Sequence, residues 1–299
     1  MKISVIILTY NESKHLARCL DSMRQVSEDI YIIDAFSTDD TLDIAARYGA
    51  RVHQRKWVNY ADQFQWALDN CGISTPWVMR MDADEYLEPA LVREINQLEV
   101  PAKVTGLYIR RKVLFKDKWI RYGGFYPHNL LRIWRNTAGS IEQRWMDEHI
   151  VISGGETMQL KEHIVDHNLN SIHWWVNKHN NYAIREMVDL LNIKYRFLEE
   201  DKRLLGAESS QAKRKRFLKE KVYASLSPGA RASLYFCFRY FLRFGFMDGY
   251  RGFIFHFMQG YWYRLLVDVN VKEFEEKLQG DTSREKMIEL LKKDYNIAI

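Results

Sequence analysis

Three short apolar runs, each broken off by polar or acidic residues, constrain this chain more than any other feature. Ile3 to Leu8 is almost continuously apolar and β-rich, Ile30-Tyr31-Ile32-Ile33 repeats the pattern, and Trp77-Val78-Met79-Arg80-Met81 leans the same way. Strands of this kind suit the middle of a parallel sheet covered on both faces. Between them the apolar residues fall at helical spacing. Leu16, Cys19, Leu20 and Met23 share one face of a helix predicted from about Glu12 to Arg24, with Asn11 as its N-cap. The polar loop 35–41 opens a second helix that ends at Gly49, a short strand follows over 51–54, and a helix from about Asn59 to Asn70 leads into the run that stops at Asp82. This alternation predicts an α/β fold with a doubly wound, mostly parallel sheet and helices on both faces. Ligands of such sheets bind beyond the carboxyl ends of the strands.

The polar residues sit where that rule wants them. Thr9-Tyr10-Asn11-Glu12, Asp34 and Asp82-Ala83-Asp84-Glu85 each follow the end of an apolar run. In an extended chain Asp82 and Asp84 point to the same side. Carboxylates this close favour a hard divalent cation, Mg²⁺ or Mn²⁺, which shares its oxygen ligands with a diphosphate. The same residues also suit a helix start, with Asp84 as N-cap and the acids favoured by the dipole. No Gly-x-Gly-x-x-Gly follows the first strand and no Gly-Lys-Ser/Thr occurs, so the glycine-rich phosphate cradles are absent. Three cysteines, far apart, argue for a reducing compartment and against a disulfide or zinc framework.

The segments Ser4-Val5-Ile6-Ile7-Leu8-Thr9-Tyr10-Asn11-Glu12, Ile32-Ile33-Asp34-Ala35-Phe36-Ser37-Thr38-Asp39-Asp40-Thr41 and Met81-Asp82-Ala83-Asp84-Glu85 together resemble family 2 glycosyltransferases of the GT-A fold, and most closely the bacterial branch that builds lipopolysaccharide core and related cell-surface glycans. The resemblance implies a nucleotide-sugar donor, UDP-linked, with Thr9, Tyr10 and Glu12 against the nucleotide. It gives Asp34 to the base, where a carboxylate can accept the uracil N3–H. It assigns Asp82 to the ribose and metal, Asp84 to the metal as the more direct ligand, and His167, in Ile164-Val165-Asp166-His167-Asn168, to the completed metal shell. Within Trp145-Met146-Asp147-Glu148-His149 it makes Glu148 the base that deprotonates the acceptor hydroxyl in an inverting transfer, with Asp147 as alternate. A solvated acidic turn is the plainer reading of that stretch. Ala35-Phe36 and Gln63-Phe64-Gln65 depart from the usual family pattern.

Downstream of Asp84 the pattern predicts a helix from Glu85 to Leu98 and then an antiparallel region from Gly106, with aromatic and basic side chains suited to an acceptor floor. Arg132 is a candidate phosphate or acceptor contact, or else one half of a sheet-surface ion pair. The expected organisation is a catalytic domain over 1–200, its nucleotide-sugar half ending near 100, and a helical, basic and aromatic region over 201–299. Two aromatic segments flank Gly245-Phe246-Met247-Asp248-Gly249, an element also found in relatives. Neither offers the ~20 apolar residues a membrane span needs. Recurrent arginines among the aromatics suit a hairpin lying in the headgroup layer, or helices packed on the catalytic domain with arginines reaching for water. The formal charge of +5 fits an anionic partner surface. The expectation is a cytoplasmic enzyme peripheral on the inner membrane, acting on a lipid-linked glycan acceptor and binding no nucleic acid, since no nucleic-acid motif accompanies the basic residues. The competing reading is a catalytically silent transferase-like scaffold.

Overall fold

The structure, a computed structural model, describes residues 1–142, 149–198 and 227–297. The chain divides into two compact units: one joins the chain up to Asn170 with Gly245–Gly252, and the other takes most of the chain from Ser171 onward.

In the first unit, β1 (Ile3–Thr9), β2 (Asp29–Asp34), β3 (Arg51–Gln54) and β4 (Trp77–Asp82) alternate with α1 (Leu16–Met23), α2 (Thr41–Arg47) and α3 (Tyr60–Asn70). After them come β5 (Glu85–Leu87), α4 (Pro89–Gln97), β6 (Val104–Phe115), β7 (Lys118–Trp119), β8 (His128–Arg135) and β11 (Glu156–His167), with a small separate ribbon of β9 (Gly139–Ile141) and β10 (Ile150–Ile152). The main sheet has the order β3-β2-β1-β4-β8-β6-β11-β5, with β7 paired to β6. β3, β2, β1 and β4 are parallel; β8 is antiparallel to both β4 and β6, and β11 is parallel to β6. Two reversals return the direction to that of β1, so β1, β2, β4 and β11 all end at one edge.

Alternation along the strands sends successive side chains to two separate cores. Ile3, Val5 and Ile7 pack with Leu16, Cys19, Leu20 and Met23 of α1 and Leu91, Val92 and Ile95 of α4. Ile6, Tyr31, Ile33 and Val78 pack on the opposite face with Ala61, Phe64 and Ala67 of α3 and with Trp134. The sheet is therefore doubly wound, as the apolar runs predict. Each fully buried aliphatic or aromatic side chain contributes roughly 1.5–3 kcal/mol.

Two local expectations are corrected. Asn11 does not cap α1: it adopts φ 54°, its amide oxygen accepts from Thr38 N–H at 2.8 Å, and the helix begins only at Leu16. Glu85 does not open a helix either. It is drawn into β5, opposite Asp166 of β11, and α4 starts at Pro89, where a missing N–H costs nothing. Asp82-Ala83-Asp84-Glu85 is thus a tight strand-to-strand turn, and neither an extended run nor a helix N-terminus.

In the second unit, α5 (Ile172–Tyr195) is capped by Ser171, whose Oγ accepts from Trp174 N–H at 3.2 Å, and it ends at the left-handed Arg196. Its buried Met187, Val188 and Leu191 pack with Phe274 and Leu278 of α8 (Tyr263–Leu278) and with Met287, Leu290 and Leu291 of α9 (Arg284–Tyr295). Between α5 and α8 in sequence lie α6 (Pro228–Cys237), continued by a π-helical turn at Phe238–Leu242, and α7 (Gly249–His256), whose residues up to Gly252 belong to the first unit, continued by another such turn at Phe257–Trp262. Three of the arginines here turn inward. Arg239 is buried, the Arg231 guanidinium pairs with Asp268, and Arg264 reaches Glu186 at 2.5 Å. Phe238, Phe241, Leu242 and Phe244 are exposed instead. Arg264 follows the acid that α5 supplies and Arg231 the one on α8, while Arg243 and Arg251 are exposed like those side chains. Among the described residues no helix is long and apolar enough to cross a membrane.

His179 on α5 gives this unit a pH dependence. Its ring stacks on Trp175 with centroids 3.4 Å apart, meets the edges of Tyr182 and Tyr263, and its Nδ1–H donates to Trp175 O at 2.9 Å. Burial pushes the imidazole down to about 4 from 6.5. The unfolded chain then takes up a proton on this side chain before the folded one does, so stability is greatest above pH 6.5 and falls as pH drops toward 4. At about 1.4 kcal/mol per pH unit, discounted for residual exposure, the loss is on the order of 1–3 kcal/mol. Thermal melts between pH 7 and 4.5 should show it, with a shallower slope in His179→Gln.

Candidate active site

The carboxyl edge of the sheet gathers the polar strand ends. Thr9 lies opposite Asp34 in the β1–β2 register, Asp82 beside Leu8 in β4, and His167 at the end of β11. Two side-chain networks organise this edge.

The first centres on Asp34, which is fully buried. Its Oδ1 accepts from Thr9 Oγ1 at 2.9 Å and Ser37 Oγ at 2.5 Å, and its Oδ2 from Ser37 N–H at 2.8 Å and Gln54 Nε2 at 3.2 Å. Four donors fill the roughly four acceptor positions of a carboxylate. The loops after β1 and β2 are further cross-linked, with Asn11 N–H on Ser37 Oγ, Glu12 N–H on Thr41 Oγ1 and Ser13 N–H on Asp39 Oδ2. The Glu12 carboxylate accepts from His15 Nδ1 at 2.6 Å, while His15 Nε2 accepts from Leu169 N–H. Of Thr9, Tyr10 and Glu12, Tyr10 alone is exposed, at 59%.

The second network surrounds the Asp82–Glu85 turn. Asp82 Oδ1 accepts from Tyr60 Oη at 2.7 Å, with Arg80 Nε at 3.9 Å, and its Oδ2 lies 3.3 Å from Arg132 Nη2. Glu85 Oε1 accepts from Arg132 Nη2 at 2.6 Å, and Oε2 accepts from Asp82 N–H at 3.1 Å. Glu85 is 1% exposed and Arg132 3%. Burial by itself would raise the Asp82 carboxyl, but the Arg132 and Arg80 guanidiniums and the Tyr60 hydroxyl outweigh it and hold Asp82 well below the ordinary carboxylate range. Burial pushes Glu85 the other way, up to about 8, with Asp82 adding to the rise against the pull of Arg132. Arg132 is therefore an internal strut of this turn, and neither a surface ion pair nor a group facing solvent.

Asp84 stands apart from that lock. Its carboxylate takes a hydrogen bond from Asn168 Nδ2 at 3.0 Å, and its carbonyl accepts from His167 N–H and Arg18 Nη2. His167 has both ring nitrogens engaged, Nδ1 by Arg18 at 3.0 Å and Nε2 by Asp117 at 2.9 Å. Among the described residues no three His, Cys, Asp or Glu side chains gather as a ready metal site. That donor set nevertheless fits Mg²⁺ or Mn²⁺ of the kind held by one or two carboxylates and completed by substrate phosphates, with Asp84 the carboxylate that carries fewer side-chain partners. Asp147 and Glu148 lie outside the described residues. Tyr60, Arg80, Glu85, Arg18 and Asn168 are site residues that the motifs alone do not reveal; for Glu85 and Asn168 the available signal is adjacency to Asp84 and His167.

A doubly wound sheet with acidic groups gathered at its carboxyl edge is an architecture on which transferases are built, and residues 4–166 match the Glycosyl transferase family 2 description; the chain belongs to that family. An uncharacterized glycosyltransferase of Rickettsia conorii is 38% identical over 97 residues, covering 32% of this chain and 34% of the relative. The lipopolysaccharide core biosynthesis glycosyltransferase LpsC of Rhizobium meliloti is 32% identical over 136 residues, 44% of this chain and 47% of LpsC. The chain thus spans between a third and a half of the length of these relatives. A glucosyl-3-phosphoglycerate synthase from Mycobacterium tuberculosis, solved with Mn²⁺, UDP and glucosyl-3-phosphoglycerate, aligns over 38% of this chain and 44% of its own at 21% identity and a TM-score of 0.32.

Proposed function

We propose that the protein is an inverting, metal-dependent hexosyltransferase that moves a sugar from a nucleotide donor, UDP-linked, to a lipid-linked glycan at the cytoplasmic face of the inner membrane, in lipopolysaccharide or other surface-polysaccharide biosynthesis. Family membership and the likeness to LpsC support the class. The observation that carries the finer reading is the unequal treatment of two neighbouring acids: Asp82 is locked by Tyr60 and Arg132, while Asp84 is presented with a single described side-chain partner.

On this reading Asp84 holds the divalent cation, with Asp82 ordering the turn and touching the ribose. Tyr10 packs on the nucleotide beside Thr9 and Glu12, and the base takes the Gln54 position on Asp34, the longest of that carboxylate's four bonds. His167 serves the metal shell through the turn, since its N–H and Arg18 both fix the Asp84 carbonyl. Arg132 supports phosphate binding indirectly, by holding Asp82 and Glu85. The acceptor hydroxyl gives its proton to Glu148, or to Asp147 in its place. Its oxygen bonds to the anomeric carbon as the bond to the diphosphate oxygen breaks, and the configuration inverts. A bound cation supplies charge neutralisation for the departing diphosphate.

The test is a thermal-shift panel of nucleotide sugars with and without Mn²⁺, followed by transfer assays onto a solvent extract of bacterial envelope lipids. The right donor at about 100 times its Kd should add roughly 2.7 kcal/mol of stability, and only with metal present. EDTA should remove both the shift and the transfer, and Mn²⁺ should restore both. Undiminished transfer by chelated protein would sink the metal reading; a flat panel for every donor would favour the silent scaffold.

A further inference from the structure

We infer that Asp248 is a positioning residue that fixes the 120–127 loop of the first compact unit. The consequence for acceptor binding rests on the transferase reading above. Asp248 lies within Gly245–Gly252, the downstream segment that folds with this unit, and is 4% exposed. Its two oxygens accept from consecutive backbone N–H groups 127 and 126 residues upstream: Oδ1 from Arg121 at 3.1 Å and Oδ2 from Tyr122 at 2.9 Å. Hydrogen bonds to a carboxylate are stronger than neutral ones, and two parallel bonds also fix direction. The neighbouring Arg251 adds a bond from its guanidinium to Lys116 O.

What Asp248 grips leads into a glycine pair. Immediately after Tyr122, Gly123 and Gly124 both take φ near +70°, at 73° and 70°, a region where glycine is the least restrained residue. The loop is anchored further along where Tyr126 Oη meets His163 Nε2 at 2.5 Å and its ring meets the edge of Trp119 at 5.1 Å. The clamp thus presents Arg121, whose guanidinium lies 5.3 Å from the Trp119 ring centroid, together with Tyr122 and Phe125. The loop then feeds directly into β8, which carries Arg132 to the Asp82–Glu85 turn. Gly252 makes the clamp possible: a Cβ there would sit 2.3 Å from the Asp248 Cβ and 3.3 Å from Gly245 O. Alanine is the better helix former, so Gly252→Ala should strengthen α7 locally while pushing Asp248 away from the loop.

Amide exchange followed by mass spectrometry reads the clamp without reference to sugar chemistry. In Asp248→Ala, and independently in Gly252→Ala, the Arg121 and Tyr122 amides should exchange at least about tenfold faster, with peptides from β1 and β4 unchanged. Asp248→Asn retains one acceptor and should fall between. In transfer assays with the envelope-lipid extract, the half-saturating extract concentration should rise several-fold in both variants, while the thermal shift produced by UDP with Mn²⁺ stays within about twofold in midpoint concentration. Unchanged exchange in the loop, or equal acceleration through β1 and β4, overturns the clamp. Equal losses of UDP and extract affinity overturn the acceptor assignment. Wild-type protein that transfers no sugar would instead count against the proposed function, with the exchange result still deciding the clamp.

Discussion

Asp84→Ala is expected to lower sugar transfer by at least about 10²-fold, the scale on which removing a group that stabilises developing charge acts. Its melting temperature should stay within about 2 °C of the parent, because the residue is only half-buried and its carboxylate carries one described side-chain bond, from Asn168. The Mn²⁺-dependent thermal shift should vanish along with activity. Asp82→Ala should behave differently and lose stability as well as transfer, since it strips a partner from Tyr60 and Arg132 together. Equal stability losses in the two variants would contradict the division of labour between a presented acid and a locked one.

Arg132→Met is expected to be the most destabilising single change in the first unit. It removes the guanidinium that lies 2.6 Å from Glu85 and 3.3 Å from Asp82, leaving the buried Glu85 and the part-buried Asp82 without their shared cation. Breaking a buried pair from one side costs roughly 3–5 kcal/mol, a shift on the order of 10 °C for a unit of this size. Adding Glu85→Gln should cost little more, because without Arg132 the buried Glu85 is held protonated and an amide can still accept from Asp82 N–H, whereas in the parent the same change takes from Arg132 its 2.6 Å partner. Urea denaturation of the parent, the single variant and the double variant would measure this coupling. Simple additivity would mean that Arg132 stabilises the turn by some route other than Glu85.

The sheet and its helices were legible because continuous apolar runs and 3.6-residue spacing are properties of single segments. Val5 and Ile6 must face different layers whatever else the chain does. The turn at Asp82–Glu85 was not legible in the same way, since its shape is decided by the pairing of Glu85 with Asp166, 81 positions further along the chain, and local propensity is overridden by that ladder. Arg132 illustrates a similar limit: a basic residue in a strand of alternating character reads as exposed until its two carboxylates are known. Arg264 of the second unit shows the same limit, because Glu186 is remote in sequence and draws it inward. Motif likeness located the acidic edge; it said nothing of the hydrogen bonds that make Asp82 and Asp84 unlike each other.

The cross-linked loops above β1 and β2 carry a consequence for engineering. Thr9, Asn11, Ser37 and Gln54 are joined through one buried carboxylate and a shared set of backbone donors. Neither loop can be exchanged for that of a homologue without orphaning donors in its neighbour, so chimaeras meant to alter donor choice should transplant both segments as a single cassette.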